Sequence, residues 1–139
     1  MKVFRGKVEK GNGVASENLH HVVELIGERI GLPNIIEGTL NIRVADPYRV
    51  PADATISPAE YNKVETLKLK RCRIRGIRCC IMRPDFHEMV PESEPERRLD
   101  ALTRLEIMSD RHLRTALNLI NGDTVEVEVD GDENWWNAP

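Results

Sequence analysis

Alternation of apolar and polar residues in short segments is the feature that most constrains the fold of this chain of 139 residues. It is clearest in 2–9, 39–45 and 124–129, where every second residue is apolar or glycine. A period of two residues is typical of a strand with one buried side, whereas an amphipathic helix repeats at about 3.6 residues. Because several segments share this period, we expect a mainly β fold.

The other segments predict a hairpin, a short strand and two helices. Apolar runs on either side of Gly76 in 64–83 indicate a buried hairpin, and 104–108 is typical of a short strand. One helix is predicted from a cap at Ser16 to the stop signal at Gly31, and another from a cap at Ser109 through Leu117. Many strands with two helices indicate a small, mainly β (α+β) barrel rather than a parallel sheet.

The chain is predicted to form one domain over 1–130, followed by a flexible C-terminal tail over 131–139. Segment 46–58 contains three prolines and is expected to be a connecting loop. Segment 88–96 is acidic and contains two prolines, which is typical of a mobile surface excursion. We therefore expect these segments to carry little regular structure.

Composition argues against a membrane protein and against an exported, disulfide-rich one. The sequence has no long apolar run, its first ten residues lack a signal-peptide core, and its net charge is only −3. Its three cysteines are an odd number, and two of them are adjacent, which fits reduced core thiols better than disulfides or a zinc site. We expect a soluble, cytoplasmic protein with no membrane partner.

Two short polar motifs are candidates for ligand binding. Gly11, Asn12 and Gly13 lie between a strand and a helix, where backbone N–H groups bind phosphate, although such glycines more often form a tight turn. Thr39 and Asn41 share one side of a predicted strand. Their neutral oxygens suit a hydrated Mg²⁺ whose coordination shell is completed by substrate phosphates. The alternative is an ordinary pair of solvent-facing side chains.

The region around 106–114 carries a second group of candidates. Glu106 interrupts an apolar run, so it either faces solvent or accepts a hydrogen bond from a substrate imide or hydroxyl. Arg111, His112 and Arg114 fall in the first turns of the second predicted helix and are suited to polyphosphate, whereas Asp110 would repel it. These residues thus favour a phosphate site without excluding a structural role.

A run of seven basic residues without any acid occupies 66–83: Lys68, Lys70, Arg71, Arg73, Arg75, Arg78 and Arg83. It is either a solvated strand face balanced by the acidic segment 85–100 or a surface for nucleic acid. Aromatic residues for base stacking are missing from the run, so nucleic acid is not the expected partner.

Four segments, taken in order, resemble the archaeal-type CTP-dependent riboflavin kinases. They are G-K-V-E-K-G-N-G-V-A at 6–15, E-G-T-L-N-I at 37–42, I-M-R-P at 81–84 and L-E-I-M-S-D-R-H-L-R-T-A-L-N-L-I-N-G-D-T-V-E-V-E-V at 105–129. The resemblance implies a six-stranded cradle-loop β-barrel. It also implies transfer of the terminal phosphate of CTP to the 5′-hydroxyl of riboflavin, giving FMN and CDP with Mg²⁺ as cofactor.

The resemblance also implies roles for individual residues, by position. The nucleotide-binding residues would be Gly11, Asn12, Gly13, Val14, Ala15, Ser16, Arg111, His112, Leu113 and Arg114. The metal ligands would be Thr39 and Asn41, and the flavin-binding residues Glu106 and His87.

The sequence departs from the family pattern in the glycine loop. Ala15 stands in place of a third glycine, and Glu17 stands where the family has an aromatic residue. These departures favour an alternative function, a non-catalytic nucleotide- or flavin-binding module on the same barrel. The retained Thr39, Asn41 and Glu106 favour the kinase, which is the leading hypothesis. A nucleic-acid-binding regulator, which rests on the basic run alone, is the third hypothesis.

Overall fold

A computed structural model describes residues 1–11, 19–85, 89–132 and 134–137, and it confirms a closed six-stranded antiparallel β-barrel. The strands are β1 (Lys2–Glu9), β2 (Leu40–Val44), β3 (Ala54–Ile56), β4 (Leu67–Ile74), β5 (Ile77–Pro84), β6 (Arg104–Ser109) and β7 (Thr124–Val129). The barrel runs β4-β5-β6-β2-β1-β7, and β7 closes onto β4 through the pair Arg73–Glu128. Strand β3 pairs with the first half of β4 outside this ring.

Three α-helices and two 3₁₀ turns surround the barrel in the described ranges. The helices are α1 (Val23–Ile30), α2 (Pro95–Thr103) and α3 (Leu113–Ala116), and the 3₁₀ turns are His20–Val22 and Trp135–Asn137. Helix α1 ends at Gly31, whose φ of 81° is the left-handed conformation that glycine tolerates, so the predicted stop signal is confirmed. Within the described segments, no helix is both long and apolar enough to cross a bilayer.

Some elements differ from the sequence-based predictions. Ser109 is the last residue of β6 rather than a helix cap, because its hydroxyl donates to the carbonyl oxygen of Arg78 at 2.8 Å. The second predicted helix is therefore only the four residues of α3, preceded by His112. Helix α2 begins at Pro95, inside the predicted excursion at 88–96, and the predicted loop at 46–58 contains β3. The other predicted cap, Ser16, lies outside the described residues.

Two apolar cores lie on opposite sides of the barrel wall. The inner core fills the barrel with alternate residues of all its strands, among them Val8, Ile42 and Ile107. The outer core lies between α1 and β4–β6 and includes Ile26 and Leu69. Burial of apolar surface, worth roughly 25 cal/mol per Å², stabilises both layers.

The three cysteines are buried and free, as the sequence predicts. Cys72 and Cys79 face the inner core, whereas Cys80 faces the outer core, because successive residues of a strand point to opposite sides. Burial raises the pKa of the Cys72 and Cys80 thiols, so both stay protonated near neutral pH.

The side chains of the basic run at 68–83 make hydrogen bonds and ion pairs within the chain. Its side chains bond backbone carbonyls and polar side chains: Lys70 binds Asp53 and Asp130, Arg71 donates to Ile30, Arg73 to Trp135 and Gly76, Arg75 to Thr124, Arg78 to Asn137, and Arg83 to Tyr48 and Leu102. Lys70, Arg73 and Arg83 are buried, and hydrogen bonds to a charged group contribute about 1.5–3 kcal/mol each. The run therefore has a structural role, joining the hairpin to the rest of the molecule.

Candidate functional site

A row of side chains on the outer face of the barrel brings two candidate residues together. Asn41 on β2 is directly opposite Glu9 on β1 and directly opposite Glu106 on β6, and Glu106 is opposite Met82 on β5. Residues directly opposite in an antiparallel pair have Cβ atoms about 4.5–5.5 Å apart and share a face. Asn41 thus lies between two carboxylate side chains.

Glu106 points away from the barrel interior, as its sequence context predicts. Its neighbours Leu105 and Ile107 are buried in the inner core, whereas Glu106 is half-buried on the opposite face. Burial raises the pKa of the Glu106 carboxyl, and the nearby Arg104 offsets part of that rise. Burial raises the pKa of Tyr61, which packs against the outer core, and the charges of Glu65 and Glu106 add to that rise. The carboxylate therefore occupies a partly dehydrated position, where a polar ligand would strengthen its hydrogen bonding.

A pocket of about 150 Å³ opens beside this row, at the start of β2. Its lining residues include Thr39 together with Arg111, His112, Leu113 and Arg114. The amide of Asn41 donates to the hydroxyl of Thr39 at 3.4 Å, which connects the pocket to the row. Two groups of predicted site residues that are about 70 positions apart in the sequence therefore meet at one cavity.

An ion pair and hydrogen bonds position the charged side chains at the pocket. Arg111 Nε donates to Asp110 at 2.9 Å, and this bond holds the pKa of the Asp110 carboxyl below its usual range. Arg114 donates to the backbone oxygen of Glu9 at 3.1 Å and to the Asn121 side chain at 2.8 Å. Arg111 thus neutralises the acid that would repel phosphate, and Arg114 ties the pocket wall to the end of β1.

Gly11 places the start of the glycine motif against Asn41. A Cβ atom at position 11 would overlap the Asn41 amide group, so any larger residue there would require the Asn41 side chain to move. Asn12, Gly13, Val14, Ala15, Ser16 and the flavin candidate His87 lie outside the described residues. Of the predicted nucleotide loop, the structure therefore places Gly11 alone, next to the predicted metal ligand.

The oxygen donors around Asn41 suit a weakly held, hydrated cation. Thr39 and Asn41 supply neutral oxygens, and Glu9 and Glu106 flank Asn41. Across the described parts of the chain, no group of three His, Cys, Asp or Glu residues forms a closed metal site. Mg²⁺ usually keeps several waters and takes one or two protein ligands plus substrate phosphates, which fits this donor set.

Sequence reasoning missed the residues that fix the row. Arg43 binds Glu9 at 3.2 Å, Asp100 at 2.9 Å and the hydroxyl of Thr103 at 3.0 Å. It thereby joins β2, the end of β1 and helix α2. The only sequence signal was that Glu9 and Arg43 have outward positions on two predicted strands, and the register of those strands was not predictable from either one.

Comparison with known proteins gives two matches. A protein-family model, described as "Domain of unknown function DUF120" and bearing a short name for CTP-dependent riboflavin kinase, matches residues 8–129. A curated protein of Methanocella arvoryzae named riboflavin kinase is 30% identical over 135 residues, covering 92% of this chain and 57% of that relative. The chain thus spans little more than half of the relative's length, and the family match includes every predicted site residue.

Proposed function

Because the chain belongs to the CTP-dependent riboflavin kinase family, we propose that it transfers the terminal phosphate of CTP to the 5′-hydroxyl of riboflavin. The products are FMN and CDP. The observation that carries the proposal is the position of Asn41, which adjoins Gly11 and Glu106 and is bonded to Thr39 at the pocket. Sites for a phosphate, a metal and an acceptor would thus adjoin one another around Asn41.

In this proposal the pocket holds the polyphosphate of CTP. Arg111 and His112 line this cavity together with Thr39, and Arg114 holds the end of β1, which precedes the glycine motif. Phosphoryl transfer depends mainly on positioning the reactants in line and on neutralising charge that develops on the phosphate oxygens. Arginine side chains supply that charge, so these residues bind and orient the donor.

Thr39 and Asn41 are proposed to hold Mg²⁺ together with the phosphates of the nucleotide. When bound, Mg²⁺ neutralises phosphate charge and helps to orient the transferred group. The protein's contribution is to fix the two ligands, through the bond from Asn41 to Thr39 and the approach of Gly11.

Glu106 is proposed to bind riboflavin by accepting a hydrogen bond from its imide or a hydroxyl. His87 is proposed as a second flavin contact. Since Glu106 is directly opposite Asn41, a flavin bound there would lie next to the metal and the phosphate. The proposed acceptor site would therefore adjoin the proposed metal site, as direct transfer requires.

Substituting Gly11→Ala is expected to weaken CTP binding on the order of tenfold, about 1.4 kcal/mol. The added methyl group would overlap the Asn41 amide and displace it. Isothermal titration with CTP and Mg²⁺ measures the loss, and riboflavin affinity of the same variant serves as the control. Unchanged CTP affinity would show that Gly11 and Asn41 are not part of one site.

Substituting Ala15→Gly is expected to tighten CTP binding about two- to fivefold, since glycine accepts backbone angles that alanine resists. The basis is the resemblance, in which a glycine occupies this position. CTP titration of both proteins measures the effect. Equal or weaker binding by the variant would indicate that the motif is a structural turn.

The proposed activity is tested by incubating the purified protein with riboflavin, Mg²⁺ and CTP and separating FMN from riboflavin by chromatography. FMN that accumulates with CTP supports the kinase, and ATP in place of CTP tests the nucleotide preference.

A further inference from the structure

A second pocket, of about 440 Å³, lies at the other end of the barrel from the pocket at Thr39. Its walls come from the segment after β2, from β4 and from α2, and they include Arg49, Val50, Pro51, Lys68, Arg98 and Leu102. Strand β6 begins just after Leu102 and ends at Ser109, which lines the first pocket. Because a strand rises about 3.4 Å per residue, the two pockets are separated by roughly 17 Å along β6.

The side chains of this second pocket carry positive charge. Arg49, Lys68 and Arg98 line it, and none of its described lining residues is acidic. Arg49 is exposed and, within the described segments, makes no hydrogen bond or ion pair. Arg98 donates to the backbone oxygen of Val90 at 3.0 Å, a neutral group that leaves the guanidinium charge unbalanced. Two guanidinium groups are therefore available to attract an anion.

Buried contacts hold the walls of the second pocket in place. The N–H of Tyr48 donates to the carbonyl oxygen of Leu102 at 2.8 Å, and the buried Arg83 donates to the carbonyl oxygens of both residues, at 2.6 and 3.3 Å. Further along, the N–H of Asp53 donates to the carbonyl oxygen of Leu69 at 2.8 Å. The segment between Tyr48 and Asp53 is thus fixed at both ends, and the pocket is formed before any ligand binds.

Apolar side chains complete the lining. Val50 and Leu102 belong to the buried residues, and the exposed Pro51 lies at the same cavity. Small-molecule sites commonly have volumes of about 300–1,000 Å³ and combine an apolar lining with a few charged groups that fix the ligand. Guanidinium groups match phosphate oxygens through paired hydrogen bonds. This combination suits a molecule with one phosphate group and an apolar body.

We propose that the second pocket binds a small organic phosphate, that is, a phosphate monoester with an apolar body. Arg49 and Arg98 bind the phosphate, and Val50 and Leu102 contact the body. The site shares no described residue with the pocket at Thr39, so it does not depend on the proposed kinase activity.

Naphthyl phosphate is a suitable probe, because it carries one phosphate on an aromatic body and is neither a substrate nor a product of the proposed kinase. Isothermal titration is expected to give a submillimolar Kd for naphthyl phosphate. Naphthol and inorganic phosphate should each bind at least about tenfold more weakly. Naphthol lacks the group that the arginines bind, and inorganic phosphate lacks the apolar body.

Arg49→Gln and Arg98→Gln are each expected to weaken naphthyl phosphate binding about five- to tenfold. Arg97→Gln is the matched control, because Arg97 precedes Arg98 on the same helix, pairs with Glu94 at 3.0 Å and is not among the described lining residues. It should bind the probe like the wild type. Since Arg49 is exposed and unbonded in the described segments, Arg49→Gln should keep the wild-type melting temperature, which preserves the test if Arg98→Gln fails to fold.

Competition with CDP separates the two pockets. An excess of CDP should leave the affinity for naphthyl phosphate within twofold of its value without CDP. Displacement by CDP would place the probe in the pocket at Thr39 and overturn the inference. Absence of binding, equal affinity for naphthol, or wild-type affinity in Arg49→Gln would overturn it as well. Binding that depends on Arg49 in a protein that forms no FMN would refute the kinase proposal alone.

Discussion

Substituting Thr39→Val together with Asn41→Leu is expected to lower kcat/KM for CTP-dependent FMN formation by about 10²- to 10³-fold. Both changes keep the size of the side chain and remove the proposed Mg²⁺ ligands. Asn41 lies on the outer face of β2 and Thr39 immediately precedes this strand, whereas the intervening Leu40 and the following Ile42 fill the barrel. The core is therefore untouched, and thermal stability should change little.

The measurement pairs steady-state FMN formation with CTP titrations in the presence and absence of Mg²⁺. Thr55→Val is a matched control, because it removes a hydroxyl from the exposed middle of β3. It should retain the wild-type rate. A double variant that binds CTP with wild-type affinity and wild-type Mg²⁺ dependence would refute the assignment of the metal ligands.

Substituting Glu106→Gln is expected to weaken riboflavin binding by about 1.5–3 kcal/mol, the range for a hydrogen bond that involves a charged group. The variant should be at least as stable as the wild-type protein at neutral pH. Burial raises the pKa of Glu106 in the fold, so its contribution to stability is present at low pH and is lost as the pH rises through the folded pKa. Glutamine, which carries no charge, avoids this loss.

Riboflavin fluorescence titration measures the affinity, and thermal unfolding at neutral and acidic pH measures the stability. Glu126→Gln is the control, since it makes the same chemical change at an exposed position of β7, a strand that does not contribute to the row at Asn41. Wild-type riboflavin affinity in Glu106→Gln would remove Glu106 from the flavin site. A clear loss of stability in that variant would show that the carboxylate has a structural partner instead.

Local patterns predicted most strands, because the alternation of buried and exposed residues is a property of each strand alone. Closure of the barrel, in contrast, could not be predicted from any one strand. It depends on the pairing of β4 with β7 through Arg73 and Glu128, which are 55 positions apart. Nothing in either segment specifies that partner.

Helix α2 was missed because its signals are weak. Its sequence, P-E-R-R-L-D-A-L-T, has four charged residues among nine, and it buries only Leu102 and Thr103. Proline at the first position is compatible with a helix start, yet Pro95 and Glu96 also belong to the acidic segment 88–96, whose composition predicts a mobile excursion. Ser109 shows the opposite error, since its hydroxyl bonds Arg78 across the sheet rather than the backbone of the next helix.

The candidate site was predictable as residues but not as an arrangement. The sequence motifs identified Thr39, Asn41 and Glu106 as candidates. The register between β2 and β6, which only the structure gives, places Asn41 opposite Glu106. Arg43 could not be found in advance, because its partners Glu9 and Asp100 come from two other elements. Side chains that position a site depend on tertiary contacts, and single-strand patterns do not encode them.

The most direct test of the central proposal is FMN formation by the purified protein with riboflavin and Mg²⁺, run in parallel with CTP and with ATP. The Thr39→Val, Asn41→Leu double variant controls for contaminating kinases. We expect FMN and CDP in equal amounts with CTP, and little or no FMN from the double variant. Riboflavin that is bound but never phosphorylated, with either nucleotide, would contradict the kinase and establish a non-catalytic binding module.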